Sequence, residues 1–136
     1  LNNMDEGAIY AQLSTNAVAP LMVCQLLQDQ LNTNAKVALI TSRMGSIADN
    51  GSGSYYGYRM SKAALNAAGK SLAIDLKPRG IAVAILHPGF VQTEMVGGAG
   101  DISADTAAER LAARIDELNI KNTGTFWHSN GEILPW

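Results

Sequence analysis

The sequence predicts an α/β fold with a doubly wound, mostly parallel sheet. Two short runs, residues 37–41 and 81–86, are apolar throughout, which is typical of strands that helices cover on both faces. Helical stretches alternate with these runs along the chain, and this order of elements favours a parallel sheet. No internal repeat or linker divides residues 1–136, so they are predicted to belong to one domain.

The first predicted helix spans residues 5–31, where apolar residues recur at helical spacing. Pro20 interrupts this helix. Proline has no N–H to donate to the carbonyl group four residues earlier, so the carbonyl oxygen of Asn16 is predicted to lack its usual helical partner.

The chain beyond residue 41 contains two further helices and a final strand. A Gly/Ser-rich loop over residues 42–54 leads into a helix over residues 55–76, and a third helix covers residues 103–118. The last strand ends in an Asn-Gly turn at residues 130–131. Small residues in the second helix are predicted to let another helix approach closely: Ala63, Ala64, Ala67, Ala68 and Gly69.

The composition excludes several classes of protein. The chain has 47% hydrophobic and 16% charged residues and a net charge of −2, with no basic patch suited to nucleic acid. No apolar run reaches the length of about 18 residues that a membrane helix needs, and residues 1–5 do not resemble a signal peptide. We therefore expect no membrane partner and a cytoplasmic location. The single cysteine, Cys24, is predicted to be a small buried hydrophobic residue.

Tyr58 and Lys62 are the most informative pair of side chains. They lie four residues apart in a predicted helix, so both can face the same cleft. A nearby ammonium group favours the ionised form of a phenol, which makes Tyr58 a candidate proton donor and acceptor. A tyrosine and a lysine at this spacing more often lie on a solvated face, so the assignment depends on the surrounding motifs.

Three ordered segments together closely resemble the short-chain dehydrogenase/reductase family, and the residues from Gly124 to Trp136 resemble its C-factor and sniffer-like carbonyl reductases. The three segments are Ile40-Thr41-Ser42-Arg43-Met44-Gly45, Tyr58-Arg59-Met60-Ser61-Lys62-Ala63-Ala64-Leu65-Asn66 and His87-Pro88-Gly89-Phe90-Val91-Gln92-Thr93. The resemblance implies a Rossmann-like fold and an NAD(P)-dependent oxidoreductase that reduces a carbonyl to an alcohol, or the reverse. It also implies a homo-oligomer and a small-molecule carbonyl or alcohol substrate.

The resemblance also implies roles for individual residues. Tyr58 would be the general acid or base, and Lys62 would favour its ionised form and bind the nicotinamide ribose. Ser42 would hold the substrate oxygen, and Asn16 would bind a water molecule through its main-chain carbonyl. The segment after the second strand would contact the cofactor, NADP or NAD, through Pro88, Gly89, Val91 and Thr93.

Some of these assignments have rivals. Ser46, twelve residues before Tyr58, is nearer to the usual spacing of the family than Ser42, which lies sixteen residues before it. Ser42 directly follows the strand, however, so both serines remain candidates. Outside the family context, the Asn16 side chain would be expected to face solvent.

Other residues are predicted to have lesser roles. Tyr55 and Tyr56 have no lysine four residues later and are predicted to line the substrate opening. His87 and His128 are predicted to be structural rather than metal ligands. The glycine-rich stretch at residues 51–57 does not follow a strand directly, so it is interpreted as a loop and not as a dinucleotide-binding turn.

The segments that bind the cofactor pyrophosphate in this family are not found in residues 1–136. The sequence is therefore interpreted as the C-terminal half of a Rossmann-like domain, lacking the N-terminal strands and leaving an unpaired sheet edge. A catalytically inactive fragment that serves as a binding or oligomerisation module is the alternative to an enzyme. The substrate, and the choice between NADP and NAD, are left open.

Overall fold

The described residues form three parallel strands in the order β1-β2-β3. The strands are β1 (Lys36–Ile40), β2 (Ala82–His87) and β3 (Thr125–His128). This computed structural model describes residues 3–136. The parallel pairing of all three strands agrees with the predicted sheet.

The α-helices of the described residues are α1 (Glu6–Leu13), α2 (Ala19–Leu27), α3 (Tyr56–Leu76) and α4 (Ala104–Glu117). Short 3₁₀ segments are found at Gln28–Gln30, Arg43–Gly45, Lys77–Arg79 and Glu94–Val96. Asp5 caps α1 by accepting a hydrogen bond from the Ala8 amide, and Ser103 caps α4 by accepting one from the Thr106 amide.

Helices cover both faces of the sheet. One core cluster lies between the sheet and the helices α2 and α3, and a second lies on the face covered by α4. The first contains Ala17, Leu39, Leu65, Ala73, Leu76, Ile81 and Val83, and the second contains Ala82, Ala84, Leu86, Leu118 and Trp127. Adjacent residues of β2 thus point to opposite layers, as the apolar run predicted. This arrangement confirms the doubly wound fold.

The small-residue surface predicted on α3 needs a correction at Gly69. A Cβ atom at Gly69 would lie 2.8 Å from Cγ1 of Ile85 and 2.9 Å from Cδ1 of Leu39, so this glycine lets α3 approach the sheet rather than another helix. Ala64 also packs against the first core cluster. The sequence pattern could not show which face each small residue occupies.

The outer edge of β1 has no neighbouring strand among residues 3–136. A groove of about 490 Å³ lies between this strand and α2, and its lining is mostly apolar. Cys24 lines this groove and packs against the first core cluster, and burial raises the pKa of its thiol. It is partly buried, whereas the sequence predicted a buried residue, because it lies beside the open edge of β1. The predicted unpaired edge is thus present in the described residues.

Within residues 3–136, no helix is both long enough and apolar enough to cross a membrane. The same residues contain no cluster of histidine, cysteine and carboxylate side chains that could hold a metal ion.

Candidate active site

The ends of the parallel strands bring several predicted site residues to one edge of the sheet. Ile40 pairs with Leu86, and His87 pairs with His128, so the carboxyl ends of the three strands are level. Ser42 follows the first of these ends, and Pro88 follows the second. Ligands of open α/β sheets bind beyond this edge, so the topology alone places these residues beside a potential site.

Tyr58 and Lys62 lie on one face of the first turns of α3. The Lys62 Nζ atom is 5.7 Å from the centroid of the Tyr58 ring, within the range of a cation–π contact. Nζ also donates a hydrogen bond of 3.2 Å to the carbonyl oxygen of Ile40, which directs the lysine to the end of β1. Burial lowers the pKa of the Lys62 ammonium below its ordinary value. The two side chains are thus held together beside the carboxyl edge of the sheet.

A cavity of about 400 Å³ opens between the start of α1 and the start of α3. Tyr55, Tyr56 and Tyr58 all line it, together with Asn3, Met4, Asp5, Ala8, Ile9, Gln12, Ser54 and Gly57. Lys62 and Ser42 are not among the described residues that line this cavity. Tyr58 is therefore the side chain that connects the cavity to the lysine.

Asn16 lies in a π-helical segment, Ser14–Val18, which joins α1 to α2. The Ala19 amide donates to the carbonyl of Ser14, five residues earlier, so the helix widens just before Pro20. The Asn16 side chain does not simply face solvent: its Nδ2 donates a 3.0 Å hydrogen bond to Oγ of Ser61. The predicted disturbance of this helix is present, and π segments of this kind are frequent at functional sites.

The Ser61 hydroxyl connects Asn16 to the tyrosine. Ser61 is fully buried, and its Oγ donates a 2.8 Å hydrogen bond to the carbonyl oxygen of Tyr58. The π segment is thereby tied to the helical turn that carries Tyr58 and Lys62.

Ser42 is buried at the start of the 3₁₀ turn Arg43–Gly45, and its Oγ accepts a 3.1 Å hydrogen bond from the Met44 amide. Gly45 packs directly on α3, because a Cβ atom there would lie 2.8 Å from the Lys62 carbonyl carbon. The turn that carries Ser42 therefore rests on the part of α3 that carries Lys62.

Ser46 lies at the other end of the same turn. It is also buried, and its Oγ accepts a 3.1 Å hydrogen bond from the Asp49 amide. Both serine hydroxyls thus accept a backbone hydrogen bond, and each still has a proton to donate. The local geometry leaves the choice between the two open.

Thr41 and Asn66 form a second link between β1 and α3. The Thr41 hydroxyl donates a 2.6 Å hydrogen bond to Oδ1 of Asn66, and both residues are buried. A buried pair of this kind fixes the register of the two elements, since an unmade hydrogen bond there would be costly. It holds the end of β1, and with it Ser42, against α3.

The segment after β2 turns sharply at Gly89, whose φ angle is 101°. A side chain there would be strained, and its Cβ would also lie 3.1 Å from Cδ1 of Ile102. Val91 then pairs with Ile102 in a short parallel bridge, and Thr93 is exposed at the start of the next 3₁₀ turn. Pro88, Gly89, Val91 and Thr93 thus run outward from the carboxyl edge of the sheet.

His87 and His128 contact each other at the ends of β2 and β3. Their rings are 4.9 Å apart and almost perpendicular. Burial, together with the charges of His128 and Arg43, lowers the pKa of His87 to about 4, so its ring is neutral near pH 7. Their contact is compatible with the predicted structural role, which stays a prediction.

Three polar residues of α3 were not singled out by the sequence: Arg59, Ser61 and Asn66. They lie inside or just beyond the Tyr58–Lys62 segment, but their residue types carry no signal by themselves. Their partners lie on other elements, and only the folded arrangement reveals them.

This chain belongs to the short-chain dehydrogenase/reductase family. Residues 1–125 match a family described as enoyl-(acyl carrier protein) reductase. The chain is 40% identical to the C-signal protein of Myxococcus xanthus over 138 residues, covering all of this chain and 83% of that protein. It is 39% identical to a Rhodococcus protein named 1-hydroxy-2-glutathionyl-2-methyl-3-butene dehydrogenase, covering all of this chain and 62% of the relative.

Solved structures that are similar in fold to this chain include two carbonyl reductases. The carbonyl reductase Sniffer of Drosophila melanogaster superposes with a TM-score of 0.91 at 32% identity. An NADPH-bound carbonyl reductase from chicken fatty liver superposes with a TM-score of 0.88 at 28% identity. In both cases all of this chain is covered, and it spans 60% of the length of the solved structure. These relatives confirm the predicted family and its C-factor and sniffer-like branch.

Proposed function

We propose that these residues form the catalytic half of an NAD(P)-dependent oxidoreductase that interconverts a carbonyl group and an alcohol. The observation that carries this proposal is the placement of the Lys62 ammonium 5.7 Å from the Tyr58 ring, with that tyrosine lining a cavity of about 400 Å³. The carbonyl reductases among the similar structures support it.

In the proposed reaction, Tyr58 exchanges a proton with the substrate oxygen. During reduction its hydroxyl donates the proton to the oxygen of the carbonyl group, and during oxidation its phenolate accepts the proton of the alcohol. The Lys62 ammonium stabilises the phenolate, and burial strengthens this interaction because less water screens the charges.

Ser42 is proposed to donate a hydrogen bond to the substrate oxygen. Its hydroxyl accepts a bond from the Met44 amide, which orients the lone pairs and leaves the proton free to be donated. A donor held in place before the reaction stabilises the charge that develops on the oxygen. Asn16 is proposed to bind a water molecule through its main-chain carbonyl, within the widened turn before Pro20.

The described residues fit the nicotinamide end of NAD(P). Lys62 has three N–H donors, and one reaches Ile40, so others are available for ribose hydroxyl groups. Gly89 removes a side chain where the chain turns at the carboxyl edge, and Thr93 offers an exposed hydroxyl. Pro88 and Val91 would complete the wall on this side. When bound, the cofactor supplies or accepts the hydride, while the protein holds both reactants and moves the proton.

A second copy of the chain is the proposed protein partner. Several large apolar side chains of α2 and α3 are exposed in the described residues, among them Met22, Leu26, Met60 and Ile74. Exposed apolar side chains that share one surface mark an interaction site more often than scattered ones do. Sedimentation of the complete protein is expected to give a multiple of the monomer mass.

The function is tested by two measurements on the complete protein. Titration with NADPH and with NADH is expected to show binding below millimolar concentration for at least one of them. When that reduced cofactor is mixed with the protein and an aldehyde or ketone, its absorbance at 340 nm is expected to fall, because the cofactor is oxidised only when a carbonyl substrate is present. If neither cofactor binds at millimolar concentration, the proposal is wrong and a binding module becomes the better description.

The two candidate serines are separated by alanine substitutions in the complete protein. Ser42→Ala is expected to lower kcat about 10²–10³-fold, because one donor to a developing oxyanion is lost. Ser46→Ala is expected to change kcat by less than that and to act mainly through the stability of the turn. A larger loss of kcat for Ser46→Ala, with both variants folded to the same extent, would reverse the assignment.

A further inference from the structure

The loop before α3 contains three consecutive residues in the left-handed region of backbone conformation. Their φ angles are 67° at Gly53, 58° at Ser54 and 54° at Tyr55. Glycine adopts this conformation freely, but for serine and tyrosine it is strained. Such strain persists only where the surrounding structure holds the segment in place, and it occurs often at ligand sites.

The Arg59 side chain supplies that support. Its Nε donates to the carbonyl oxygens of Gly53 at 3.2 Å and Ser54 at 3.1 Å, and its Nη2 donates to Oγ of Ser52 at 2.9 Å. The planar guanidinium group has its donors in a fixed arrangement, so one arginine can bind several acceptors of a loop at once. Two of the three left-handed residues are therefore held through their carbonyl groups.

The same guanidinium group reaches the turn that carries Ser42. Its Nη1 donates a longer bond, 3.4 Å, to the carbonyl oxygen of Met44. The Met44 amide in turn donates to Oγ of Ser42. One side chain thus joins the candidate oxygen-binding turn to the loop before α3.

The loop ends in two tyrosines that line the cavity beside Tyr58. Tyr55 and Tyr56 are 70% and 47% exposed, so no close packing of their own side chains fixes this wall. Its position depends on the backbone that carries it, and the Arg59 hydrogen bonds reach the residue just before Tyr55.

We propose that Arg59 is a positioning residue that holds the Tyr55–Tyr56 wall of the cavity and thereby sets how tightly large carbonyl substrates bind. This inference rests on the proposed reductase function. It assigns Arg59 no contact with the reacting atoms, so its loss is expected to affect substrate binding more than the chemical step.

The test compares Arg59→Met with Arg79→Met in the complete protein. Arg79 also donates to a main-chain carbonyl, that of Gln28, but on another part of the molecule. Arg59→Met is expected to raise KM for an aromatic ketone about tenfold, to change kcat less than threefold and to leave the Kd for NADPH unchanged, as expected when uniform binding is lost. Arg79→Met is expected to change none of them. An unchanged KM in Arg59→Met would overturn the inference.

Two further variants separate positioning from a general effect on folding. Arg59→Lys keeps the charge but not the fixed set of donors, so it is expected to raise KM nearly as much as Arg59→Met. Adding Ser54→Gly removes the backbone strain at that position. The double variant Ser54→Gly/Arg59→Met is therefore expected to have a lower KM for the aromatic ketone and a higher free energy of unfolding than Arg59→Met alone. No recovery in a folded double variant would contradict the proposed role of the strained loop.

Hydrogen exchange distinguishes failure of this inference from failure of the reductase function. The Gly53 amide donates a 3.0 Å hydrogen bond to Oδ1 of Asn50, and it is expected to exchange faster in Arg59→Met than in the unmodified protein, whether or not the protein reduces carbonyls. Unchanged exchange there would overturn the positioning role even in an active reductase. If exchange is faster but the protein does not oxidise NADPH in the presence of a carbonyl compound, Arg59 still positions the loop, and the proposed carbonyl substrate is wrong.

Discussion

Tyr58→Phe in the complete protein is expected to lower kcat for carbonyl reduction by about 10²–10⁴-fold, the usual contribution of a general acid. The substitution removes one hydroxyl group and keeps the ring that lines the cavity and lies against Lys62. The Kd for the cofactor is therefore expected to stay nearly unchanged. Steady-state kinetics at saturating NADPH, together with a fluorescence titration of the cofactor, measure both quantities.

Tyr10→Phe is the matched control for this variant. Tyr10 lies on α1, is 63% exposed and does not line the cavity. The same loss of a hydroxyl there is expected to have no effect on kcat. If Tyr58→Phe retains a substantial part of the turnover, Tyr58 is not the proton donor.

Lys62→Ala is expected to impair both catalysis and cofactor binding. Without the ammonium group the phenolate is less stabilised, so alcohol oxidation is expected to require a higher pH than in the unmodified protein. The Kd for the cofactor is expected to rise because the ribose loses a donor, and kcat is expected to fall by about 10²-fold or more. The pH dependence of kcat and a cofactor titration together check these effects.

Lys70→Ala provides the comparison on the same helix. Lys70 donates a 3.4 Å hydrogen bond to the carbonyl of Gly124, away from Tyr58. Lys70→Ala is expected to leave the pH dependence of kcat unchanged. A Lys62→Ala profile that coincides with the profile of the unmodified protein would exclude an effect of this lysine on Tyr58.

The fold was largely predictable because its signals are local. The apolar runs that became β1 and β2, and the start and stop signals around α3 and α4, are each visible in a short stretch of sequence, and the observed ends lie within one residue of the predicted ones. Long-range packing was less predictable. Gly69 was assigned to a helix-packing surface, whereas it lets α3 approach the sheet, since nothing in the sequence shows which layer lies across from it.

The candidate site was predictable where motif and topology act together. Tyr58 and Lys62 share a face because of helical spacing, and Ser42 and Pro88 share an edge because parallel strands end there. Arg59 was not predictable, because its hydrogen bonds depend on the path of a loop whose strained residues have no clear sequence signature. The choice between Ser42 and Ser46 stayed open for a related reason: both flank one short turn, and spacing alone does not orient a hydroxyl group.

The pairing of Tyr58 with Lys62 at a bound carbonyl is tested most directly by a crystal structure of the complete protein with NADP and an alcohol product. We expect the Tyr58 hydroxyl to lie about 2.6–3.2 Å from the oxygen of the alcohol, with the Lys62 ammonium on the ribose of the cofactor. An alcohol oxygen bound beyond hydrogen-bond reach of Tyr58, with Lys62 directed away from both ligands, would contradict the proposed mechanism.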